Sequence, residues 1–362
     1  MNHSFSLNDW SKLLPLFGGA DSLDASARAS GALVRRRAVR DGATLLRLGL
    51  GYGAGGLSLR EAAAWAGVQG IATLSDVALL KRLRGAADRF ASLAGQVLAR
   101  RSGLSGKGVR PLRLVDGTAI NGPGNYGKDW RLHVAYDPVA QCFTAIELTD
   151  GREAEKLDRF KADDGEIRIA DRGFGSRPDC IAAISEGPGD YVVRVHWRGL
   201  RWQDNFGGRF DILDFLRGLE DEDIGETKIM IGRGKGRSLK SPVPARLVAV
   251  RLPPEKVEVG RTRIQRDNRR KGRSVQPGTL EAASHVLLLT SLTESEYPAK
   301  EVAALYRLRW QVELAFKRMK SLFDLDKLRA KDPRLAKAWI FANLLTVLLV
   351  EDITRQLPDS SP

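Results

Sequence analysis

The feature that most constrains the fold is a strand-rich stretch between residues 110 and 195, with helical texture before it. Three runs at its start have strand character and are separated by turn residues such as Asp137-Pro138, so they predict a three-strand meander. A polar helix, a fourth strand, a second helix and a fifth strand are expected next. Strands that alternate with helices predict an α/β fold. The predicted strands are 112–115, 131–136, 142–148, 167–170 and 191–195, with the second helix near 177–185.

The N-terminal part, residues 1 to about 105, is rich in Ala, Leu and Arg at helical spacing. Ser58 is a candidate N-cap, and a second helix is expected from Ser75 to about Leu83. Two short helices joined by a tight turn are compatible with a helix-turn-helix, although many helical bundles share this layout. The basic residues between 81 and 113 fit a DNA-facing surface and a solvated helix face equally well.

The charge of the chain bears on its partners rather than on its fold. Among 362 residues, 58 Lys and Arg oppose 44 Asp and Glu, a formal charge of +14. Phosphate backbones suit such a charge because neutralising them releases condensed counterions. Ribosome-associated and membrane-surface proteins share this composition, so charge alone does not select DNA.

Several common sites are disfavoured by the sequence. Two cysteines without a C-x-x-C pair, and four scattered histidines, exclude a zinc ribbon and disfavour a disulfide framework, which fits a reducing cytoplasm. Residues 1–10 lack the pattern of a signal peptide. The apolar run 339–350 is too short and interrupted for a membrane span and predicts a buried helix. Gly51, Gly53 and Gly56 match a dinucleotide-binding spacing, but their segment has helical texture.

The second half of the chain changes texture twice. Residues 197 to 283 combine short alternating strands with few clear helices, many basic residues and a glycine-rich run, 232–238, interpreted as a hairpin tip or a loop touching phosphate. A strand at 285–289 follows. Pro298 then predicts the start of a long helix that reaches about Phe323, and a last helix is expected after Pro333.

Two aspartates and one helix carry the candidate chemistry. Asp116 and Asp171 each lie at the end of a predicted strand, where active-site carboxylates are common, although an aspartate in a turn is also ordinary turn chemistry. On the long helix, about 100° per residue places four side chains within roughly 60° of arc, beside apolar positions. A surface helix with spaced ion pairs is the alternative. The four are Tyr306, Arg309, Glu313 and Lys320.

These residues resemble the insertion-sequence-4 family of bacterial DDE transposases. The four helix residues match its Y-R-E-K signature, Asp116-Gly117-Thr118 is similar to its first aspartate motif, and Asp171-Arg172-Gly173-Phe174 is similar to its second. The resemblance covers roughly 110–325 directly. It implies an RNase H-like catalytic core with a mostly β insertion between the second aspartate and the glutamate.

The same resemblance implies a division of the chain. The α-helical N-terminal region would be a DNA-binding domain, and the catalytic core would be split by the insertion. The expected units are 1–108 (helical DNA-binding domain), 109–196 (first part of the core), 197–283 (insertion), 284–330 (second part of the core, with the glutamate helix) and 331–362 (C-terminal helical segment).

The implied chemistry is metal-dependent. Asp116, Asp171 and Glu313 would hold two Mg²⁺ ions about 4 Å apart, with Asp116 bridging them; Mn²⁺ can substitute. Tyr306, Arg309 and Lys320 would grip phosphates near the cleaved DNA end, with Arg172 and Lys317 as further DNA contacts. Trp197 and Trp202 would either stack a flipped base or pack in the core, and His133 is expected to pack beside the site.

The sequence therefore predicts a cut-and-paste transposase of the bacterial cytoplasm. It would bind terminal inverted repeats through its N-terminal region, act as a homodimer on two double-stranded DNA ends, join them to target DNA and use no membrane. One alternative is a DNA-binding transposition inhibitor without catalysis, against which the three carboxylates argue. Another is an RNase H-like nuclease without strand transfer, against which the Y-R-E-K stripe and the basic insertion argue.

Overall fold

The computed structural model describes residues 10, 13–101, 110–124, 129–219, 223–233, 240–323, 325 and 328–356. Its centre is one nine-stranded mixed sheet. The strands are β1 (Leu112–Ile120), β2 (Trp130–Asp137), β3 (Cys142–Asp150), β4 (Ile167–Ala170), β5 (Asp190–Arg194), β6 (Arg201–Gln203), β7 (Ile224–Arg233), β8 (Lys240–Arg251) and β9 (His285–Thr290). Their order across the sheet is β3-β2-β1-β4-β5-β9-β8-β7-β6.

The first five strands follow the predicted pattern in part. β1, β2 and β3 form the antiparallel meander, and β4 adds in parallel beside β1. The predicted second helix, α5 (Pro178–Ser185), follows β4 and leads to β5, which adds in parallel beside β4. The polar helix predicted between β3 and β4 is wrong, because residues 151–166 form turns. Arg159 explains the difference. It donates to the carbonyl of Ala154 and pairs with Glu147 and Glu153, so the charged residues fix a folded loop.

The segment from 197 to 283 continues the same sheet. β6, β7 and β8 extend it outward from β9, so the insertion shares the sheet of the first five strands. The expectation of a mostly β insertion is wrong, because this segment also contains three helices. Periodicity could not indicate the longest of these, since none of its residues is buried. The helices are α6 (Ile212–Gly218), α7 (Pro254–Arg270) and α8 (Pro277–Ala282). The glycine-rich run 232–238 falls mostly outside the described residues.

Helices from both ends of the chain form a layer on one face of the sheet. The C-terminal helix α11 (Pro333–Gln356) packs along α4 and against α2. By length and composition α11 could cross a membrane, but 72% of its apolar window is buried inside the protein, as predicted for a buried helix. The N-terminal helices are α1 (Gly19–Ala29), α2 (Gly42–Gly53), α3 (Leu59–Val68) and α4 (Asp76–Ala99).

The predicted N-cap at Ser58 and the predicted helix start at Ser75 are confirmed. Ser58 forms a reciprocal capping box with Glu61 at the start of α3, and Ser75 caps α4. α4 is much longer than expected, because a buried apolar face continues through Phe90 and Val97. Gly51 and Gly53 lie in helix α2, as their helical texture indicated, and there they allow close packing against Trp65 and α11.

Arg101 ties this helical layer to the sheet. Its side chain is 2% exposed and follows α4 directly. It donates to the carbonyls of Phe143 on β3 and Leu348 on α11, and it pairs with Glu351 and Asp352. Burial raises the pKa of Glu351 to about 7, although Arg101 opposes this shift. Part of the basic 81–113 segment is therefore structural, because Arg101 is a buried cation.

Candidate active site

The pairing of β1 with β4 brings the two aspartates together. Val115 pairs with Ala170 in a parallel register, so the residues that follow this pair are neighbours: Asp116 on β1 and Asp171 directly after the end of β4. Adjacent strands lie about 4.8 Å apart. Asp116 is not at a strand end as predicted, because β1 continues to Ile120 along β2. It lies where β4 stops and β2 continues, which leaves its β4-facing side open to the second aspartate.

Strand alternation decides which face of the sheet the first aspartate occupies. Leu114 belongs to the core beneath the N- and C-terminal helices, whereas Val115 belongs to the core on the opposite face. Because side chains alternate along a strand, Asp116 shares the face of Leu114. Val312 and Phe316 of the following helix pack into that same core. The face that carries Asp116 is therefore the one covered by the helix that carries Glu313.

Each aspartate is fixed by a local hydrogen bond. The backbone N–H of Gly117 donates to Asp116 Oδ1 over 2.7 Å, and that of Arg172 donates to Asp171 Oδ1 over 2.6 Å. The pKa of Asp116 is raised to about 6, mainly by burial; the Gly117 N–H and Arg309 oppose this rise, and the charges of Glu155 and Asp171 add to it. A carboxyl held this way binds a cation more readily than a lone surface aspartate.

The predicted long helix is two helices, α9 (Ala299–Arg307) and α10 (Trp310–Phe323). At the joint, the N–H groups of Leu308 and Arg309 donate to carbonyls three residues earlier. This tighter hydrogen bonding turns each residue by about 120° instead of 100°. The arc calculated above for the four side chains therefore holds only approximately. The joint also places Arg309 between the helices rather than within one of them.

Arg309 connects the helix residues to the aspartates. Its guanidinium pairs with Glu313 Oε1 at 2.7 Å and lies 5.8 Å from the ring centre of Tyr306. It also lowers the pKa of Asp116, which places it within electrostatic reach of the first aspartate. The structure thus brings Asp116, Asp171, Arg309, Glu313 and Tyr306 into one electrostatic cluster.

Tyr306 is held in this cluster with its hydroxyl buried. Its Oη has no hydrogen-bond partner among the described residues, and the Nε atom of Arg309 shares this condition. Burial raises the pKa of Tyr306 most strongly, while the nearby Arg309 opposes the shift. Buried donors without partners are costly, so both groups are suited to meet an oxygen-rich ligand such as phosphate.

Three further predicted DNA contacts lie around the cluster. Lys320 is half-buried on α10, and Lys317 and Arg172 are exposed. Apart from the backbone N–H of Arg172, which donates to Asp171, no hydrogen bond or ion pair within the described residues joins these three to the carboxylates. His133, expected beside the site, is 2% exposed on β2 and pairs with Gly117. Burial lowers its pKa to about 4, which keeps it neutral.

The carboxylates of Asp116, Asp171 and Glu313 are suitable ligands for a hard divalent cation, but in this structure they do not lie close enough together to form one site. Within the described ranges, no three His, Cys, Asp or Glu side chains form a group that could hold a metal ion. Glu313 is exposed on α10 and engaged by Arg309. Carboxylate oxygens are the ligands that Mg²⁺ prefers, and Asp116 lies within electrostatic reach of Asp171. Releasing Glu313 from Arg309 would complete the set.

Glu155 is a residue of this site that sequence reasoning missed. Its carboxylate lies against Gly117 and Gly173, the glycines of the two aspartate motifs, and pairs with Arg131 at 3.0 Å. Its segment was predicted to be a polar helix, which hid any relation to the aspartates. The available signal was a glycine within two residues of each aspartate, since such glycines often make room for another group.

A cavity opens where the chain leaves β5 and enters β6. Its volume is about 440 Å³. Arg198 stacks 4.8 Å from the ring centre of Trp197, whose Nε1 has no partner in the described part of the chain. Trp202 is 8% exposed, packs in the core and donates to the Trp197 carbonyl, and it also lines this cavity. The side chains around the cavity include Trp197, Arg198, Arg201, Gln203, Arg209 and Phe210.

A protein family and several known proteins match this chain. The transposase DDE domain family matches residues 107–349. The putative transposase InsL for insertion sequence element IS186A of Escherichia coli K12 is 60% identical, over 99% of this chain and 97% of that protein. The transposase for insertion sequence element IS421 of Escherichia coli is 60% identical over the same shares. The solved synaptic complex of piggyBac transposase with hairpin DNA matches at 12% identity and a TM-score of 0.49, over 97% of this chain and 75% of that chain.

Proposed function

This chain belongs to the transposase DDE domain family, and on that premise we propose that it cuts and rejoins DNA at the terminal inverted repeats of an insertion sequence. The observation that carries the proposal is the register of β1 and β4, which makes Asp116 and Asp171 neighbours on the face covered by the Glu313 helix. The core would be RNase H-like, since its first five strands lie in the order β3-β2-β1-β4-β5.

Asp116, Asp171 and Glu313 would hold the divalent cations. When bound, Mg²⁺ or Mn²⁺ activates a water or a DNA 3′-hydroxyl and stabilises the leaving oxygen. The contribution of the chain is to hold the three carboxylates on β1, directly after β4 and on α10. Because the Gly117 and Arg172 N–H groups already bind one oxygen of each aspartate, the aspartates are oriented before any ligand arrives.

Tyr306 and Arg309 would bind phosphate at the DNA end. Their partnerless buried donors point to an acceptor from outside the chain, and a guanidinium binds two phosphate oxygens at once. Arg309 would exchange Glu313 for phosphate, so DNA binding and release of the third carboxylate become one event. Lys320, Lys317 and Arg172 would add charge around the end.

Helix α7 would extend this DNA-binding surface. β8 ends at Arg251, which pairs with His285 at the start of β9. The pairing of β9 with β5, and of β5 with β4, places this point at the end of the sheet where β4 stops before Asp171. α7 therefore leaves the sheet at the same end as the aspartates. Its exposed side carries Arg263, Arg266 and Arg270, and no residue of the helix is buried. A helix without a buried face fits an external partner, here the phosphate backbone of double-stranded DNA.

The remaining expectations belong to the same proposal. The N-terminal helices would recognise the repeats, and two chains would hold two ends. A transposition inhibitor without catalysis is the competing function, because DNA binding alone would explain the basic surfaces. The carboxylate pair at positions 116 and 171 argues against it, since binding needs no such pair.

Cleavage of repeat-bearing DNA tests the proposal. The protein is incubated with Mg²⁺ and DNA that carries the flanking repeats of its element, beside a scrambled duplex. We expect cuts at the repeat ends and joined products with the wild type, and binding without cuts with Glu313→Gln. Binding of the repeats by the wild type without any cleavage would support the inhibitor instead. Cleavage without joined products would support a nuclease.

A further inference from the structure

An aromatic side chain stands in solvent at the tip of a hairpin. Phe206 is 99% exposed. It lies between β6 and a return segment, in which the N–H of Phe210 donates to the Trp202 carbonyl and Arg209 bridges to Gln203. Single apolar side chains on a surface are ordinary. What sets this ring apart is how it is held and which charges surround it.

The tip that carries Phe206 is held by the side chain of Asp204. Its Oδ1 accepts the backbone N–H groups of Phe206 and Gly208, each over 2.8 Å. The Asp204 N–H donates to the Gly208 carbonyl, and Gly207 has φ +84°, a left-handed conformation that favours glycine. The ring therefore sits on a preorganised turn, so its insertion into a partner costs little conformational entropy.

The cavity beside this tip is cationic. It reaches Gly207 and is lined by three arginines, Arg198, Arg201 and Arg209, against one acidic residue, Asp211. The Asp211 carboxylate already accepts backbone N–H groups at the start of α6. Arg201 and Arg209 are exposed, and neither forms an ion pair within the described residues. Guanidinium groups in this state are well suited to bind phosphate.

The hairpin is tied to the chain that leaves the sheet beside the second aspartate. Because β4 and β5 are parallel, Asp171 and the residues after β5 leave the sheet at the same end. Burial lowers the pKa of His196 and the charge of Arg172 lowers it further, so Arg172 lies within electrostatic reach of the segment after β5. The carbonyl of the next residue, Trp197, accepts Trp202 Nε1 of β6 over 2.7 Å.

We propose that Phe206 is a wedge that inserts between neighbouring bases of bound DNA, while Arg201 and Arg209 bind the adjacent phosphates. The inference rests on the proposed function, because it takes DNA as the ligand. Proteins that deform DNA insert phenylalanine or other apolar side chains between base steps, which unstacks the bases and kinks the duplex. A second copy of this chain, with its own charge of +14, would bring more positive charge to the same cationic surface, which favours DNA as the occupant.

Phe206→Ala tests the wedge without disturbing the core, because the ring is fully exposed. Val139→Ala is the matched control. Val139 is 73% exposed in the turn between β2 and β3, and its N–H donates to Asp137 Oδ1 as the Phe206 N–H donates to Asp204. Anisotropy measures binding to repeat-bearing duplexes, and energy transfer between dyes at the two duplex ends measures the bend. Light scattering follows the oligomeric state without DNA.

We expect Phe206→Ala to weaken binding by about 5- to 150-fold, the loss typical of a base–aromatic stack, and to reduce the bend. Phe206→Leu should keep the bend, since leucine also acts as a wedge, and Val139→Ala should change neither. If the wild type binds and cuts repeat DNA while Phe206→Ala binds and bends it equally well, the inference fails alone. A lost dimer with an unchanged bend would assign the ring to a contact between copies instead. If the wild type binds no DNA, the proposed function fails with it.

Discussion

Replacing Asp116 by Asn should stabilise the metal-free protein at neutral pH. Burial raises the pKa of Asp116 from 3.8 to about 6. A shift of about two units corresponds to about 3 kcal/mol between the two protonation states. Because the side chain is only half-buried, solvent screening reduces the expected effect to about 1–2 kcal/mol. The asparagine keeps an oxygen for the Gly117 N–H and carries no charge, so it avoids this cost.

The pH dependence gives the sign of the effect. The folded pKa of Asp116 lies above its unfolded value, so its contribution to stability is complete below about pH 4 and is lost as the pH rises through about 6. The difference between wild type and Asp116→Asn should therefore be present at pH 7.5 and absent at pH 4. The assay is urea unfolding in EDTA at both pH values, read as the free energy of unfolding.

Asp88 supplies a control, because its replacement by Asn should change the stability in the opposite direction. A hydrogen bond from Lys337 is the main cause that lowers its pKa, so Asp88→Asn should slightly destabilise the protein at pH 7.5. Equal or lower stability of Asp116→Asn at pH 7.5 would refute the reasoning. It would mean that the charge of Asp116 is well solvated, and that the site has no electrostatic need for a cation.

Two further substitutions test the fold and the DNA surface. Arg101→Met leaves the buried Glu351 without its cation, so it should lower the free energy of unfolding by about 3–5 kcal/mol at pH 8. The loss should be smaller below pH 7, where Glu351 is protonated. Equal losses at the two pH values would contradict this. Replacing Arg263, Arg266 and Arg270 by Gln should lower the salt dependence of DNA binding by up to about three charges, equally for repeat and scrambled duplexes, in binding measured against salt concentration. An unchanged slope would exclude α7 as a DNA surface. The control removes three exposed charges elsewhere, Lys161, Lys228 and Lys300.

The strands of the first half were predictable because local signals agreed. Turn residues bound β2, β3 and β5, and their apolar residues have strand periodicity, so their bounds differ from the prediction by one or two residues. The length of β1 was not predictable. Its second half, which contains Asp116, depends on pairing with β2 rather than on its own sequence.

The elements that the sequence did not predict correctly lack a local signal or depend on contacts between distant residues. α7 has no apolar stripe, so hydrophobic periodicity could not reveal it. Residues 151–166 have a helix-like composition, but the ion pairs of Arg159 hold them as turns. The break between α9 and α10 follows no proline or glycine, and it shows only in N–H groups that bond to the carbonyl three residues earlier.

The candidate site was recognised by residue type and spacing, and its geometry came from the fold. Resemblance selected Asp116, Asp171 and Glu313, while the parallel register of β1 and β4 explains why the first two are neighbours. The ion pair of Arg309 with Glu313 and the position of Glu155 could not be read from spacing, because each requires contacts between separate segments.

Mapping the metal position tests the central claim most directly. The wild-type protein bound to repeat DNA is loaded with Fe²⁺ in place of Mg²⁺, and peroxide then generates hydroxyl radicals that cut the nearby backbone. A single centre built from all three carboxylates predicts cuts around residues 116, 171 and 313 together, all suppressed by excess Mg²⁺. Cuts around 116 and 171 without any near 313 would contradict it, because Glu313 would then remain with Arg309 and belong to no metal centre.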